Sequence, residues 1–390
     1  MDDRAATAPP HRYVALDSLR GVCALCVCLF HFRANGPIAT LDFVRGSWLF
    51  VDFFFVLSGF VIAANYRDRL MTGGFLRRFV ILRLGRIYPL HLVMLLAFVG
   101  MELIGMLLAS KGLMQRRAFD TEHSVVSILT NLTLTQAFGL HPTLTWNQPS
   151  WSIAVEFWTY LLFALAAVWA AVRLEAVLVV VMIACAAVLY LATPYGINVS
   201  HSWSLFRCVY GFAVGALVWW FGYGSGRPAG LAFRAPGAAY RGGAVAELGV
   251  VAAVAGFVAL AGATHFNLLA PLVFGGAVLV FAHEGGPVSR ALMTAPLRRL
   301  GALSYSIYMV HTFVQARMDD GLRLIGKLLH TSFVASRQGR SGMTFDLVGA
   351  TPVQGVLLTA VMLALVIGVA ALTWRLVEMP CNAAARRLAR

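Results

Sequence analysis

Ten stretches of mostly apolar residues, each near the ~20 needed to cross a bilayer as a helix, follow one another along this chain. They cover residues 14–34, 45–65, 86–108, 151–172, 176–194, 203–222, 244–263, 267–284, 298–317 and 353–376. In hydrocarbon every backbone N–H and C=O must find its partner within the protein, and runs of this length do so as helices. The expected fold class is an all-α polytopic membrane protein of about ten transmembrane helices. Composition agrees, with 59% of the 390 residues hydrophobic and 12% charged, against roughly 25% charged in a soluble domain. A mean hydropathy of +0.77 excludes a water-soluble enzyme, a disordered chain and a disulfide-stapled secreted domain. The first stretch carries Asp17 and Arg20 and lacks a small-residue cleavage site, so it reads as an uncleaved helix, not a signal peptide.

The formal net charge of +14 comes from basic residues dispersed between apolar runs, a pattern that orients membrane helices and does not point to nucleic acid. Basic residues favour cytoplasmic loops, which places both termini in the cytoplasm. The inner side then holds Arg67, Arg69, Arg77, Arg78, Arg83 and Arg86, then Arg227, Arg234 and Arg241, then Arg290, Arg298 and Arg299, and the Arg386, Arg387, Arg390 tail. Two outer stretches are expected to be structured: 124–140 as a short interfacial helix, and GLRLIGKLLHTSF in the 317–352 loop as a helix on the membrane surface. Gly211 and Gly215 permit close helix packing in the sixth span. Cys23, Cys26, Cys28, Cys185, Cys208 and Cys381 lie mostly in apolar runs, and packing is expected of them, not disulfides or a metal site. The Ala, Arg, Val and Gly bias fits a GC-rich bacterial genome, hence a multi-pass protein of the inner membrane.

An ionisable side chain at the bilayer centre costs ~2.5–3.5 kcal/mol on insertion scales, so each needs a partner or a task. Arg20 and His31 are eleven residues apart, which at 3.6 residues per turn puts them on one helix face, about 16 Å apart along the axis. Asp17 lies near that face and within easy reach of Arg20. By depth alone, Asp52 in the second span, Glu156 in the fourth and His311 in the ninth share the outer level of His31, with Tyr308 and Ser304 below His311. The expectation is a site where two histidines and two carboxylates converge. At the inner end, Arg83 and Arg86 stand one turn apart, a spacing suited to phosphate oxygens. The same cluster equally suits a topogenic basic loop, and spacing leaves both readings open. Buried His, Asp and Glu would also suit a proton-coupled secondary transporter, though no paired repeat is visible. A structural subunit of a polysaccharide-export complex is a further alternative.

Five motifs in order carry a resemblance: Arg20 and His31 within LDSLRG…FHF, VDFFFVLSGFVI at 51–62, Arg83-x2-Arg86-Ile87-x-Pro89, PSWSIAVEFW at 149–158 and SYSIYMVH at 304–311. Together they resemble the acyltransferase 3 family of membrane O-acyltransferases, from Tyr13 to the VEMP segment at 377–380. His91, where an aromatic residue is common, and Cys381-Asn382 after Pro380 depart from the pattern. The resemblance implies acyl-CoA, most simply acetyl-CoA, as a cytoplasmic donor and a saccharide hydroxyl as acceptor. That acceptor is a surface polysaccharide, a lipopolysaccharide or a lipid-linked sugar, with a small molecule such as a macrolide as the narrower alternative. It makes His31 the essential histidine, Arg20 its companion, Arg83 and Arg86 contacts of the CoA phosphates, and Glu156 an acceptor-side or structural group; Arg20 and, from the basic cluster itself, Arg78 are expected to add to the hold on those phosphates. His31 is expected to act as general base or acyl carrier. Asp52 or Glu156 is expected to orient an imidazole, with Tyr308 or Ser304 as oxyanion donor and His311 in the same catalytic set. Membrane lipids are the expected surroundings, no metal is called for, and a homo-oligomer is allowed. The chain ends about 15 residues after its last expected span, so a single membrane domain without the C-terminal hydrolase-like domain of some relatives is expected.

Overall fold

Helices occupy the expected spans in the computed structural model, which describes residues 12–72, 74–112, 119–170, 173–223, 242–338 and 344–390. They are α1 (Val14–His31), α2 (Phe50–Met71), α3 (Leu76–Ser110), α4 (Val125–Leu132), α5 (Ser150–Trp169), α6 (Leu174–Ala192), α7 (Ser204–Tyr223), α8 (Gly243–Ala261), α9 (Ala270–Phe281), α10 (Ala295–Leu328), α11 (Pro352–Thr373) and α12 (Met379–Leu388). Among the described residues, eight helical stretches are long and apolar enough to cross a membrane. The other two expected spans differ for physical reasons. Helix α9 has 12 residues, about 18 Å of rise, and is preceded by a tight 3-10 turn at His265–Leu269. Helix α10 is long enough at 34 residues but carries Arg298, Arg299 and a charged C-terminal third.

Glycines set the two closest helix pairs. A Cβ on Gly215 of α7 would fall 1.8 Å from the Val56 carbonyl oxygen, and one on Gly59 of α2 would fall 2.0 Å from that of Phe212. The small-residue pattern read at Gly211 and Gly215 therefore brings two backbones into contact. Helices α1 and α10 meet likewise: a Cβ on Gly21 would lie 2.6 Å from the Leu300 carbonyl carbon, and one on Gly301 2.5 Å from the Asp17 carbonyl oxygen. These two helices run parallel, as the first and ninth passes of an alternating bundle must. Cys23, Cys28, Cys185 and Cys208 are free thiols buried among the helices.

Three expectations about connections are corrected. The basic stretch from Arg67 to Arg86 is not a loop: Arg67 and Arg69 close α2, while Arg77, Arg78, Arg83 and Arg86 lie in α3, which starts ten residues before residue 86. The GLRLIGKLL sequence is not a separate surface helix. It extends α10, helped by Arg323–Asp319 and Arg317–Asp320 ion pairs at 2.9 and 3.0 Å, spaced four and three residues apart. After it, β1 (Val334–Gln338) and β2 (Thr344–Val348) form an antiparallel hairpin, tied to α10 by Arg323–Asp346 at 2.9 Å. Within 124–140 the helical part is α4 alone, capped by the Ser124 hydroxyl and exposing Val125, Val126 and Leu129. The candidate inner residues Arg227, Arg234 and Arg241 lie outside the described residues.

The hairpin matters for position. Val348 accepts from Asn35 N–H and donates to the Arg33 carbonyl, both at 2.8 Å, which pins the chain directly after His31. The start of α1 is fixed too, by Glu284 Oε1 accepting from Ala15 N–H at 2.8 Å.

Gly215→Val should abolish monodisperse protein in detergent, read by size-exclusion chromatography, because a side chain there meets backbone. Gly249→Ala on α8, where a Cβ meets nothing within 4 Å, should hold or raise thermal stability by about 0.5–1 kcal/mol.

Candidate active site

Six helices and one irregular turn enclose a cavity of about 530 Å³. Exposed Arg12 and Arg386 line it at one end, and Val51, Phe54, Ser152 and Tyr308 line it deeper in the bundle. The turn is a single π-helical stretch, Trp374–Glu378, between α11 and α12. Its wider winding turns both Trp374 and Glu378 into the cavity wall, in keeping with the frequent occurrence of π-bulges at functional sites.

The arginines of the cavity differ in how much of their hydrogen-bonding capacity is free. Arg20 donates through Nε to Ser304 Oγ at 2.8 Å and lies 3.7 Å from Asp17, so the expected Asp17–Arg20 pair exists but is loose. Asp17 holds Arg12 more closely, at 2.8 Å. Arg83 donates to Tyr66 Oη at 2.7 Å, with its guanidinium carbon 4.7 Å from the centre of that ring. Arg86 lines the cavity without a hydrogen-bond or ion-pair partner among the described residues, which leaves its whole fork of donors for an anion. Arg78 is exposed, stacks on Phe75 at 5.5 Å and does not line the cavity. Its expected place beside Arg83 and Arg86 is therefore corrected, since at that point of α3 its side chain faces away.

Two histidines do come together. His311 Nε2 lies 3.3 Å from His31 Nδ1. His311 Nδ1 is 2.7 Å from the Tyr308 carbonyl oxygen and 3.3 Å from that of Ile307, so it carries the proton and its Nε2 is an acceptor. His31 Nδ1 is 2.9 Å from the Val27 carbonyl oxygen and also carries its proton. Both bonds to carbonyls leave His31 Nε2 as a lone-pair nitrogen with no described partner. Its neighbour His311 is fully buried, whereas His31 is half-buried without lining the cavity.

The two carboxylates expected at this level are elsewhere. Asp52 is bound at both oxygens by Arg207, Nε to Oδ1 at 2.9 Å and Nη2 to Oδ2 at 2.6 Å, with both residues buried. The Arg207 guanidinium lies between Trp48 and Trp151, at 5.0 and 5.2 Å from the ring centres. This pair locks α2 to α7, and Asp52 does not orient an imidazole. Glu156 accepts from Ser58 Oγ and from Tyr160 Oη at 2.6 Å, and it faces the arginine part of the cavity. Depth along a helix fixes a level but not a direction, which is why neither carboxylate reaches the histidines. Tyr308 is 2.9 Å from Ser152 Oγ, and its ring is 5.8 Å from that of His311.

Sequence reasoning missed Arg207, Ser152, Trp374 and Glu378. A lone arginine in SLFRCVY, opposite a lone aspartate in another span, was a usable signal. Glu378 stands in the VEMP segment, but its bond with Ser306 Oγ and the π-turn that aims it inward are not legible in residue order.

Fold and site define a polytopic membrane protein built around a basic cavity that stops just short of a histidine pair. Residues 13–375 match the family described as "Acyltransferase domain", and the chain belongs to this acyltransferase 3 family. It is 35% identical over 168 residues to Acyltransferase MdmB of Streptomyces mycarofaciens, a match spanning 40% of each chain. It is 31% identical over 160 residues to Protein 2 in picA locus of Rhizobium radiobacter, spanning 38% of this chain and 79% of that protein. No solved structure matches the chain.

Arg207→Ala should cost about 3–5 kcal/mol of stability by stranding Asp52, read as a large fall in the thermal midpoint in detergent. Replacing both Asp52 and Arg207 by leucine should recover most of that loss and retain turnover. Loss of turnover in a stable double variant would return Asp52 to the chemistry.

Proposed function

We propose that this protein is a membrane O-acyltransferase that moves an acyl group, most simply acetyl, from acyl-CoA to a saccharide hydroxyl. The acceptor in this reading belongs to a surface polysaccharide, a lipopolysaccharide or a lipid-linked sugar. The observation that carries the reading is the cavity that leads from Arg12, Arg86 and Arg386 to Tyr308, one turn of α10 below the histidine pair. Family membership and the name of the Streptomyces relative support acyl transfer as the chemistry.

The CoA phosphates would sit against Arg86, with Arg83 and Arg386 adding charge and Arg20 deeper along α1. Both termini lie in the cytoplasm in this reading, so the donor enters from the inner side. The uncharged pantetheine arm then follows α1 over the roughly 16 Å of rise that separate Arg20 from His31. The reacting nitrogen is His31 Nε2, as the base that takes the hydroxyl proton or as the carrier that takes the acyl group. In the direct route the hydroxyl oxygen bonds to the thioester carbon, the C–S bond breaks, and the CoA sulfur receives the proton held by His31. His31 Nδ1–H is held by the Val27 carbonyl oxygen, and the lone pair of His311 Nε2 faces the same nitrogen at 3.3 Å, so a carbonyl and a neutral imidazole stand where a carboxylate stands in a Ser-His-Asp triad.

His31→Ala should lower transfer by 10²-fold or more, the scale of a lost general base, with folded protein retained in the membrane. Arg86→Ala should raise the KM for acetyl-CoA with little change in kcat, measured with purified protein and radiolabelled donor. Substantial turnover by His31→Ala, or an unchanged KM in Arg86→Ala, would contradict these roles. The acceptor is tested by mass spectrometry of surface glycans and glycolipids from cells with and without the gene, where loss of one acyl mass is expected.

A further inference from the structure

We infer that Tyr308 and Ser152 form a closed gate between the donor cavity and His31, a gate that the arriving thioester opens. The inference rests on the acyl-CoA reading of that cavity. Tyr308, Ser152 and Phe54 line the cavity, whereas His31 and His311 do not. The next ring beyond Tyr308 along α10 is His311, at 5.8 Å between ring centres. A donor group in the cavity therefore meets the phenol before it meets the imidazoles.

The direction of the closing bond follows from proton counting. Ser152 Oγ is 3.0 Å from the Pro149 carbonyl oxygen and 2.9 Å from Tyr308 Oη. A carbonyl can only accept, so the one serine proton goes to Pro149, and Tyr308 must donate to Ser152. The phenol proton is thus committed to Ser152 in the closed state. Phe54 packs against the Tyr308 ring at 5.7 Å with an interplanar angle of 87°, which supports the ring on its open side.

Opening does not require the helix to move. The Tyr308 carbonyl holds His311 Nδ1–H at 2.7 Å, and a side-chain rotation leaves that carbonyl in place. A thioester carbonyl oxygen is an alternative acceptor for the phenol O–H. Exchanging Ser152 for that oxygen clears the passage and puts a donor on the oxygen that gains negative charge as the hydroxyl attacks.

The closed gate has a chemical purpose. An imidazole able to deprotonate a sugar hydroxyl also deprotonates water. With water as nucleophile, its oxygen bonds to the thioester carbon and the C–S bond breaks. The products are a carboxylic acid and free CoA thiol, and the donor is wasted. Because the thioester oxygen must displace Ser152 as acceptor before Tyr308 turns, donor-bound protein is open only part of the time, and the latch holds thioester and His31 apart for the rest.

Ser152→Ala removes the latch while keeping the phenol. With purified protein, acetyl-CoA and no acceptor, hydrolysis followed as acetate and free CoA by mass spectrometry should rise by about tenfold to a hundredfold over wild type, within what a positioned base supplies. Ser152→Thr, which keeps the hydroxyl, should restore the low rate, and Phe54→Leu, which removes the other support of the ring, should raise it independently. Acetyl-CoA affinity, measured by calorimetry, should stay within a few-fold of wild type in all three. Normal binding with hydrolysis unchanged, or reduced in step with transfer, in both Ser152→Ala and Phe54→Leu would overturn the gate alone. Failure of the wild-type protein to bind acetyl-CoA would overturn the donor reading and the gate with it.

Discussion

The close parallel contact of α1 with α10 through Gly21 and Gly301 is the constraint on which the rest of the site depends. Backbone meets backbone at those glycines, so the two helices keep a common register for many turns. Ten residues beyond each glycine stand His31 and His311, 3.3 Å apart at their nearest nitrogens. One residue before Gly21 stands Arg20, bonded to Ser304 on the facing helix. A single helix pair thereby carries an arginine at one depth and an imidazole pair about three turns further on, and the cavity runs beside that seam.

The groups beside His31 Nδ1 are a backbone carbonyl and a second imidazole, with no carboxylate among them. The choice suits its surroundings. A carboxylate in hydrocarbon needs a cation or several donors of its own, and both acids of this region have taken such partners elsewhere, Asp52 in Arg207 and Glu156 in Ser58 and Tyr160. A neutral histidine whose other nitrogen is bonded to a carbonyl turns a lone pair toward His31 without burying a charge. The positive charge of the cavity is meanwhile collected toward the end lined by exposed Arg12 and Arg386, away from the histidines.

Much of this was legible from residue order. Apolar runs located the helices because a helix is the way such a run satisfies its backbone in lipid. The eleven-residue interval from Arg20 to His31 gave a shared face, and both residues do point to α10. Depth put His311 at the level of His31, and the two rings do meet. Asp52 and Glu156 were found by depth too, and there the inference failed, since a level in the bilayer says nothing about azimuth. Arg207 decides where Asp52 points, and it lies 155 positions away on a helix that no local spacing connects to it. Glu378 is turned inward by a π-helical turn, and the Tyr308–Ser152 contact joins side chains 156 positions apart. Long-range packing, not composition, sets all three. The charged end of α10 misled in another way, because an amphipathic stretch continuing a span has the same pattern as a helix lying on the surface.

The central claim is a path along α1 from arginines to an imidazole, and imaging a bound donor analogue tests it most directly. A cryo-electron microscopy map of the protein with a thioether analogue of acetyl-CoA, which lacks a cleavable thioester, should show the phosphates at Arg86 and Arg386. The same map should show the thioether end at Tyr308, with the phenol turned away from Ser152. Nucleotide density on the opposite face of the bundle, or a thioether end remote from α1, would contradict the account.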